Sequence, residues 1–426
     1  MGVDLLAKYE PLLEERAQLG FTDPDPLNVV MDEVLSPTEA VIGGRRTILA
    51  GTNNYMGMTF DADAIAAARE ALEAFGTGTT GSRILNGTYG LHRELEETLA
   101  DFYGAAHAIV FSTGYQANLA MITALAGRGD YVLIDADSHA SIYDACSMGQ
   151  ADIVRFAHND ADALARRLRR LPEGAGKLVV VESIYSMLGD RAPLAEIVAA
   201  TKDAGAQIMV DEAHAMGFCG ETGRGVVQEA GLEADVDFIV GTFSKSVGTV
   251  GGYGVSDHPN FELLRWAARP YMFTASLPPS VAASAASTIR SLAHAHNRRA
   301  HLWENVARLH AGLEGLGYTL ATDRPVSPIV AVVFEAQETM FAMCQALLAE
   351  GVYVNVARPP ATPNGMYVLR CSLGAGHTAE QMETIIDAFS RAAGKLGLDL
   401  SGTRRGDAAP ETAPGRRGSG AAAATG

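Results

Sequence analysis

The sequence predicts an α/β protein built on a mostly parallel sheet that helices cover on both faces. From about residue 90, short apolar runs alternate with stretches of helical periodicity such as "DALARRLRRL" and "APLAEIVAATKDAG". The runs are "AIVFS", "YVLID", "LVVVES", "IMVDE" and "FIVGTF". Strands that are apolar on both faces and separated by helices are typical of parallel sheets. Of the 426 residues 48% are hydrophobic and 19% charged, so the chain has enough apolar surface for a globular core.

The first 50 residues are predicted to form a helix and a hairpin that pack on a larger domain. Residues 1–20 have amphipathic periodicity, and "VIGGRRTILAG" is typical of a hairpin that turns at Gly43-Gly44. The apolar face of the predicted helix carries Leu5, Leu6, Tyr9, Leu12 and Leu13.

The rest of the chain divides by composition into a large domain, a small domain and a tail. We predict a large cofactor-binding domain over residues 51–290 and a smaller α/β domain over residues 291–400, joined by a long helical stretch at residues 280–317. Residues 401–426 are mostly Gly, Ala, Pro and Arg, which leaves almost nothing to bury. They predict a disordered tail.

Charge and motif content exclude several classes of protein. The formal net charge of −17 opposes the phosphate contacts on which nucleic-acid binding depends. The letters "DEAH" at residues 211–214 occur in helicases, but no phosphate loop of the form G-x-x-x-x-G-K-[ST] accompanies them. A helicase is therefore excluded, and no nucleic-acid partner is expected.

Cysteine spacing and hydropathy bear on metal content and location. The four cysteines are scattered and form no C-x-x-C pair, so we expect reduced thiols, no metal site and a cytoplasmic protein. No run of about 18 apolar residues is present, so no transmembrane segment is expected. Peripheral contact with the inner membrane of a bacterium is left open.

The stretch "FIVGTFSKSVGTVGGYG" carries the most informative lysine. Lys245 follows an apolar run, stands between hydroxyl residues and precedes four glycines within seven residues. A lysine at a strand end, among residues that allow close backbone approach, is poorly explained as a surface charge. The pattern predicts a lysine that forms a Schiff base with a cofactor whose phosphate is bound nearby.

Other strand ends supply groups that would complement pyridoxal phosphate. Asp211 ends "QIMV" and can keep a pyridine nitrogen protonated, since a nearby negative charge favours the protonated ring. His214 can reach the 3-oxygen of that ring, and His139 in "DADSHASIYD" can lie flat on it. "FSTGYQAN" offers a helix start where backbone N–H groups bind a phosphate.

Taken together, these stretches resemble the α-oxoamine synthase family of pyridoxal-phosphate enzymes, within fold type I. The resemblance covers nearly the whole chain and implies a mostly parallel seven-stranded sheet in the large domain plus a small C-terminal α/β domain. It is carried by "TNNYMGM", "GTGTTGSRILNGTYGLH", "FSTGYQANL", "DADSHASIYD", "SMLGD", "DEAHAMGFCGETGRGV", "GTFSKSVGTVGG", "RPYMFTASLPPS" and "LRCSLGAGHT". The family pattern has glycine where this chain has Ser183.

The resemblance implies a role for each site residue. Lys245 would be the Schiff-base lysine and acid/base, with Asp211 at the ring nitrogen, His139 stacked on the ring, and His214 and Ser186 near the 3-oxygen. The phosphate contacts would be Gly114, Tyr115, Thr242 and Ser244, joined by Thr274 and Ser276 from the second subunit of a homodimer with shared active sites. The substrate contacts would be Asn54, Tyr55, Arg358 and Arg370, with the two arginines on the amino-acid carboxylate.

The resemblance also implies an activity. "GTFSKSVGTVGG", "YMFTASLPPS" and "RPPATP" favour the branch that condenses L-serine with palmitoyl-CoA, or with a carrier-protein thioester, and releases carbon dioxide. Relatives that use glycine or alanine share almost every catalytic residue, so a glycine C-acetyltransferase, an 8-amino-7-oxononanoate synthase or a 5-aminolevulinate synthase stays an alternative. An aminotransferase or lyase is a more remote one. A silent regulatory subunit would be expected to lack Lys245.

Overall fold

The computed structural model describes residues 4–19, 21 and 24–400. This part of the chain forms fourteen strands. They are β1 (Glu33–Ser36), β2 (Glu39–Ile42), β3 (Arg45–Leu49), β4 (His107–Phe111), β5 (Tyr131–Asp135), β6 (Asp152–Phe156), β7 (Lys177–Glu182), β8 (Gln207–Asp211), β9 (Phe238–Thr242), β10 (Gly252–Ser256), β11 (Ile329–Phe334), β12 (Val352–Tyr353), β13 (Asn355–Ala357) and β14 (Tyr367–Ser372).

Helices precede or follow most of these strands. They are α1 (Glu10–Leu19), α2 (Ala62–Phe75), α3 (Gly90–Tyr103), α4 (Gly114–Leu125), α5 (Ala140–Met148), α6 (Ala161–Leu168), α7 (Leu194–Asp203), α8 (Val226–Glu229), α9 (Leu264–Ala267), α10 (Arg269–Met272), α11 (Pro279–Ala293), α12 (His296–Gly315), α13 (Gln337–Ala349) and α14 (Ala379–Leu396).

The large domain is built on a seven-stranded sheet with the order β4-β10-β9-β8-β7-β5-β6. Strands β6, β5, β7, β8 and β9 are parallel, and β10 runs antiparallel to both β9 and β4. Both faces of the sheet are buried: Val179 and Val181 of β7 pack in one core cluster, while Leu178 and Val180 pack in the other. The predicted α/β class with a mostly parallel sheet is confirmed.

The predicted N-terminal hairpin is present, and β2 pairs antiparallel with β3. Its two turn residues, Gly43 and Gly44, both have positive φ (55° and 73°). A two-residue hairpin of this type needs left-handed backbone at both positions, where a Cβ would be strained. The pair of glycines therefore fixes the register of the hairpin.

The N-terminal helix differs from its prediction. Within the part of residues 1–20 that is described, the α-helix begins only at Glu10, and no side chain of α1 is buried. The apolar side chains from Leu5 to Leu13 are exposed, so the expectation that they pack on the large domain is wrong for a single chain. The reason is that none of the described elements of the chain covers this face. One end of the helix is held by ion pairs from Arg16 to Asp25 and from Glu15 to Arg358.

The C-terminal part has its own sheet. Strands β11, β14 and β13 form it, while β12 pairs with β3 of the N-terminal sheet. The predicted helical stretch at 280–317 is two helices, because the last turn of α11 tightens to i→i−3 hydrogen bonds at His294 and Ala295. The domain bounds stay predictions, and residues 401–426, predicted as a disordered tail, lie outside the described residues.

Among the residues that the structure describes, no helix is both long and apolar enough to cross a membrane. All four cysteines are buried as free thiols.

Candidate active site

A cavity of about 280 Å³ opens at the carboxyl ends of the parallel strands. Strands of this kind place their last residues at one edge of the sheet, where ligands bind in α/β proteins. Eight residues predicted from the sequence line this cavity together: Gly114, Tyr115, His139, Asp211, His214, Thr242, Ser244 and Lys245. They come from strand ends that are far apart in the chain.

Asp211 is the last residue of β8, and its carboxylate is buried. The side-chain amide of Asn118 donates to one oxygen at 2.8 Å, and the backbone N–H of Ala213 donates to the other at 2.9 Å. Two donors stabilise an ionised carboxylate and fix its direction. The Asp211 carboxylate therefore places a negative charge in a fixed position on the cavity wall.

Lys245 lies three residues beyond the end of β9 and lines the same cavity. Burial lowers the pKa of its amine to about 8 from the usual 10.5, against the opposing influence of Asp211. An amine with this pKa is uncharged far more often at neutral pH than a surface lysine is. Lys245 can therefore act as a nucleophile and as a base.

His139 forms the start of α5 and contributes its ring to the cavity. Nδ1 of the ring lies 2.8 Å from the hydroxyl of Ser141, and that hydroxyl accepts a hydrogen bond at 3.0 Å from Asn118, the residue that also holds Asp211. Burial lowers the pKa of His139, with Lys245 acting in the same direction and Asp211 opposing it. A neutral imidazole on the cavity wall is suited to stacking on an aromatic ring.

His214 lies three residues after Asp211 in the chain and lines the same cavity. The hydroxyl of Tyr55 lies 2.8 Å from its Nδ1, and Arg370 donates to the same hydroxyl at 3.2 Å. Burial holds the pKa of His214 well below its usual value, and Lys245 and Arg370 add to the effect. His214 is thus a neutral, oriented ring that can share a proton with an oxygen in the cavity.

One end of the cavity is suited to an anion. The N-terminus of α4, a helix of 12 residues, meets the hydroxyls of Thr242 and Ser244, which lie 2.9 Å apart. A Cβ added at Gly114 would lie 2.7 Å from Cβ of Thr242, so only glycine leaves this end open. Unpaired N–H groups and hydroxyls at a helix start bind phosphate. Tyr115 lines this end and hydrogen-bonds to Asp144.

A second cavity of about 560 Å³ shares His139, His214 and Lys245 with the first. Ser186 and Arg370 line it. Arg370 is only 5% exposed, and it donates to the backbone oxygen of Ser186 at 2.6 Å. Among the residues that the structure describes, no carboxylate lies within ion-pair distance of this guanidinium, which is unusual for a buried charge.

Tyr55 and Asn54, two of the predicted substrate contacts, do not line the cavities that contain Lys245. Tyr55 is fully buried and contacts His214 and Arg370 instead of lining a cavity. Asn54 bonds to Thr59 at 2.8 Å, and it is Asn53 that lines the second cavity and accepts from Arg370 at 3.0 Å. The backbone at these two neighbouring residues directs the side chain of Asn53, and not that of Asn54, toward the site.

Arg358, the other predicted carboxylate ligand, points elsewhere in this structure. It is paired with Glu15 of α1 and donates to Gln337 at 3.0 Å. It lines neither of the two cavities that contain Lys245. Its predicted role would require the pair with Glu15 to open.

Thr274 and Ser276 also lie outside the cofactor cavity of their own chain. Thr274 accepts a hydrogen bond from Gln116 at 3.3 Å, and Ser276 donates to the backbone oxygen of Gly81 at 3.2 Å. Both line a small separate recess. Their assignment to a neighbouring subunit stays a prediction.

The sequence interpretation also missed three polar side chains that lie around Asp211 and His139 in the cofactor cavity. Asn118 and Ser141 connect Asp211 to His139, and Glu182 ends β7 beside Asp211. Glu182 carried the same signal as Asp211, an acid at the end of an apolar run. Asn118 was detectable only as the residue one helical turn after Gly114 in "FSTGYQAN".

Comparison with known proteins agrees with this geometry. The family model "Aminotransferase class I and II" matches residues 46–389. The serine palmitoyltransferase of Sphingomonas paucimobilis is 58% identical over 398 residues, covering 93% of this chain and 94% of that protein. The 8-amino-7-oxononanoate synthase of Geobacter sulfurreducens is 40% identical over 365 residues, covering 85% and 92%.

The chain belongs to the α-oxoamine synthases. A solved structure of Sphingomonas wittichii serine palmitoyltransferase is 61% identical, covers 93% of this α-oxoamine synthase and 100% of its own chain, and has a TM-score of 0.91. A solved structure of SPT with pyridoxal phosphate (PLP) has the same TM-score and coverage at 58% identity. The fold is fold type I, and the protein is a PLP-dependent enzyme of the acyltransferase type.

The cavity of this α-oxoamine synthase fits PLP in its charges and shape. The fixed carboxylate of Asp211 faces one side, as a protonated pyridine nitrogen requires. The start of α4, with Thr242 and Ser244, offers the donors that a phosphate requires, and Gly114 leaves room for it. Lys245, with its lowered pKa, lines the same cavity.

Proposed function

We propose that this protein is a serine palmitoyltransferase. It condenses L-serine with palmitoyl-CoA and releases CoA and carbon dioxide, giving 3-ketodihydrosphingosine, the first product of sphingolipid synthesis. The similarity to serine palmitoyltransferases at 58% and 61% identity supports this choice within the family, since the oxononanoate synthase is 40% identical.

The observation that carries the proposal is the buried guanidinium of Arg370. The guanidinium lines the second cavity, which also contains Lys245, and it has no carboxylate partner among the described residues. Such a charge is stabilised when a substrate brings its own carboxylate, and a guanidinium binds that group through two parallel hydrogen bonds. Asn53, Ser186 and Ser372 hold the guanidinium in place before a substrate arrives.

Each side chain has a defined task in this reaction. When bound, PLP supplies an electron sink for the negative charge that develops at Cα of the amino acid. Lys245 accepts the proton from Cα, and Arg370 holds the carboxylate until it leaves as carbon dioxide. Asp211 keeps a negative charge at the ring nitrogen, while His139 and His214 position the ring.

The dimer belongs to the same proposal. We expect a homodimer in which Thr274 and Ser276 complete the phosphate end of the neighbouring subunit's cavity. Phe273, directly before them, is 73% exposed, and Trp266 on α9 is 69% exposed. Large apolar side chains in one exposed segment mark a protein contact surface.

A substrate matrix tests the amino acid and the acyl donor. Purified protein is incubated with serine, glycine, alanine or threonine, each with short and long acyl-CoAs, and thiol release is measured. Serine with palmitoyl-CoA is expected to be fastest. A parallel arm with a palmitoyl carrier-protein thioester separates the two donors. If glycine or alanine with a short acyl group dominates, the protein is another member of the family.

Trapping the lysine tests the catalytic scheme independently of the substrate. Borohydride reduction of the yellow protein is expected to fix the cofactor on Lys245, as peptide mapping would reveal. Lys245→Ala is expected to lose both the trapped adduct and the condensation, because no other buried amine of suitable pKa lines the cavity among the described residues. A variant that still condensed serine with acyl-CoA would contradict the scheme.

A further inference from the structure

Glu182 stands beside Asp211 on the wall of the cofactor cavity. It is the last residue of β7, and in the parallel pairing of β7 with β8 it lies directly opposite Asp211. Residues paired in register on adjacent strands face the same side of a sheet and are about 5 Å apart. Both side chains line the cavity of Lys245. Two carboxyl groups therefore share one poorly hydrated site.

The two carboxyl groups have unequal surroundings. Asp211 accepts hydrogen bonds from the side chain of Asn118 and from the backbone N–H of Ala213. Glu182 accepts one, from the backbone N–H of His139 to its Oε1 at 2.5 Å. Two like charges at this separation cannot both be stabilised in a dry site, and the group with fewer donors keeps its proton.

The groups that face Glu182 also indicate that Glu182, and not Asp211, is the carboxyl group that keeps its proton. Burial raises the pKa of Glu182 well above its usual value, and Asp211 and Asp135 raise it further. The hydrogen bond from His139 and the charge of Lys245 act in the opposite direction. The carboxyl group is only 3% exposed, and no arginine or lysine forms an ion pair with it among the described residues.

The single hydrogen bond of Glu182 goes to a residue that matters for the cofactor. His139 begins α5, and its ring forms part of the cavity wall. Ser141 holds the ring nitrogen at 2.8 Å, and Glu182 holds the backbone N–H. The position of the ring thus depends on both contacts.

We propose that Glu182 is a positioning residue that works as a neutral carboxylic acid. Its Oε1 fixes the backbone of His139, so that the imidazole stays against the cofactor ring, and its lack of charge leaves Asp211 as the carboxylate that faces the ring nitrogen. The inference rests on the PLP site of the proposed function and is independent of which amino acid or acyl thioester the enzyme uses.

Two substitutions separate a neutral acid from a carboxylate. In Glu182→Gln the carboxamide keeps an acceptor for the N–H of His139 and, like a neutral acid, carries a donor. In Glu182→Leu the acceptor is lost, and the buried N–H is left without a partner. Glu182→Leu is expected to lower PLP affinity and kcat by roughly 10- to 100-fold. Glu182→Gln is expected to recover most of that loss.

Two spectroscopic measurements decide the charge state without relying on turnover. The first is the midpoint of the pH titration of cofactor absorbance, which should move by less than about half a pH unit in Glu182→Gln and by more than about one unit in Asp211→Asn. The second is the infrared difference spectrum of the apoproteins, wild type minus Glu182→Gln, which should contain the carbonyl band of a protonated carboxyl group.

The opposite results would overturn the proposal. A carboxylate band in place of the carbonyl band, or a midpoint in Glu182→Gln that moves as far as in Asp211→Asn, would mean that Glu182 is ionised. Because both measurements are read on apoprotein or cofactor absorbance, they hold even if the substrate matrix assigns another acyl transfer.

Discussion

Single charges at strand ends determine the chemistry of this site. Asp211 is ionised because two donors hold it, and Lys245 is easily deprotonated because it is buried. The rings of His139 and His214 line the same cavity, and burial lowers the pKa of both. The catalytic properties at this scale follow from desolvation as much as from residue type.

The lowered pKa of Lys245 predicts how fast the apoprotein captures PLP. Only the free amine attacks an aldehyde, so the capture rate should rise with pH around a midpoint near 8, the folded-state pKa, and not near 10.5. Stopped-flow absorbance measures this rate. Asp211→Asn removes a charge that raises the pKa, and its midpoint should lie below that of the wild type. A midpoint near 10.5 would contradict the burial argument.

Ser183, where the resemblance to the family predicts glycine, has a defined partner. Its hydroxyl donates to Oε2 of Glu212 at 2.5 Å, away from Ser186, and the backbone N–H groups of Val226 and Val227 donate to the same carboxyl group at 3.1 and 2.7 Å. Burial nevertheless raises the pKa of Glu212 to about 7. The departure therefore adds a donor to a buried carboxyl group without entering the cavity.

The Ser183–Glu212 contact predicts a pH-dependent stability change. Because the folded-state pKa of Glu212 is raised, the folded protein binds more protons than the unfolded one between about pH 4.5 and 7, and this group lowers stability as pH rises through that window. Ser183→Ala removes a donor to the charged form. It should destabilise by about 1.5–3 kcal/mol at pH 8 and by about 1 kcal/mol at pH 5, measured by urea unfolding.

Glu212→Gln provides the control for this contact. In that background the carboxyl charge is absent at both pH values, so Ser183→Ala should have the same effect at pH 5 and pH 8. A pH-independent effect of Ser183→Ala in the natural background would mean that the hydroxyl does not act through the charge of Glu212.

At the scale of elements, the start of α4 is positioned by close packing. The turn before the helix packs tightly against Gly252 of β10 and Thr242 of β9. A Cβ added at Gly252 would lie 2.4 Å from the backbone oxygen of Thr113. The hydroxyl of Thr113 in turn caps the helix by accepting from Gln116 at 3.1 Å. The helix start and two strand ends thus form one rigid phosphate site.

Two first-turn glycines give a matched test of this packing. Gly114→Ala would place a methyl group 2.7 Å from Cβ of Thr242, and overpacking of this kind costs about 1–3 kcal/mol. The Kd for PLP should rise roughly 10- to 100-fold, as fluorescence titration would measure. Gly90, the first residue of α3, is exposed and has nothing within 4 Å of an added Cβ. Gly90→Ala should leave the affinity as it is, and equal effects would contradict the argument.

At the scale of the whole molecule, apolar side chains are exposed in several places, and two of these regions bear on assembly. One is the face of Leu5 to Leu13 around α1, and the other is the segment from Leu263 to Phe273, with Trp266 beside Leu85 on the rim of a surface cleft. Leu85 is 79% exposed. The second region precedes Thr274 and Ser276, which we propose reach the cavity of a neighbouring subunit.

The proposed dimer predicts a coupled loss of assembly and cofactor binding. Trp266→Glu places a charge in the apolar segment and should shift the protein toward monomer in sedimentation equilibrium. PLP affinity should fall with it, because Thr274 and Ser276 no longer reach the other cavity. Leu396→Glu, on an exposed position of α14, is the control and should do neither. Dissociation without weaker PLP binding would contradict the shared site.

The sequence predicted those features of the fold and of the site whose signals lie in residues close together in the chain. The alternation of apolar runs and helices predicted the parallel sheet, and position at a strand end predicted Asp211, His139 and Lys245, because the carboxyl ends of parallel strands meet at one edge. These features depend on neighbours in sequence. Arg370 was predicted from the family pattern, and the glycine-rich stretch near Lys245 was recognised from composition. Both are likewise signals in short segments of the sequence.

Only the tertiary structure decided which side chains face the cavity and what they contact. Asn53 lies on the cavity in place of Asn54, Arg358 is bound to Glu15, and Glu182 is paired with Asp211. Each contact joins segments far apart in the chain or depends on a shift of one residue. Periodicity along the sequence carries neither kind of information, because the protonation and direction of a buried polar group are set by the groups packed around it.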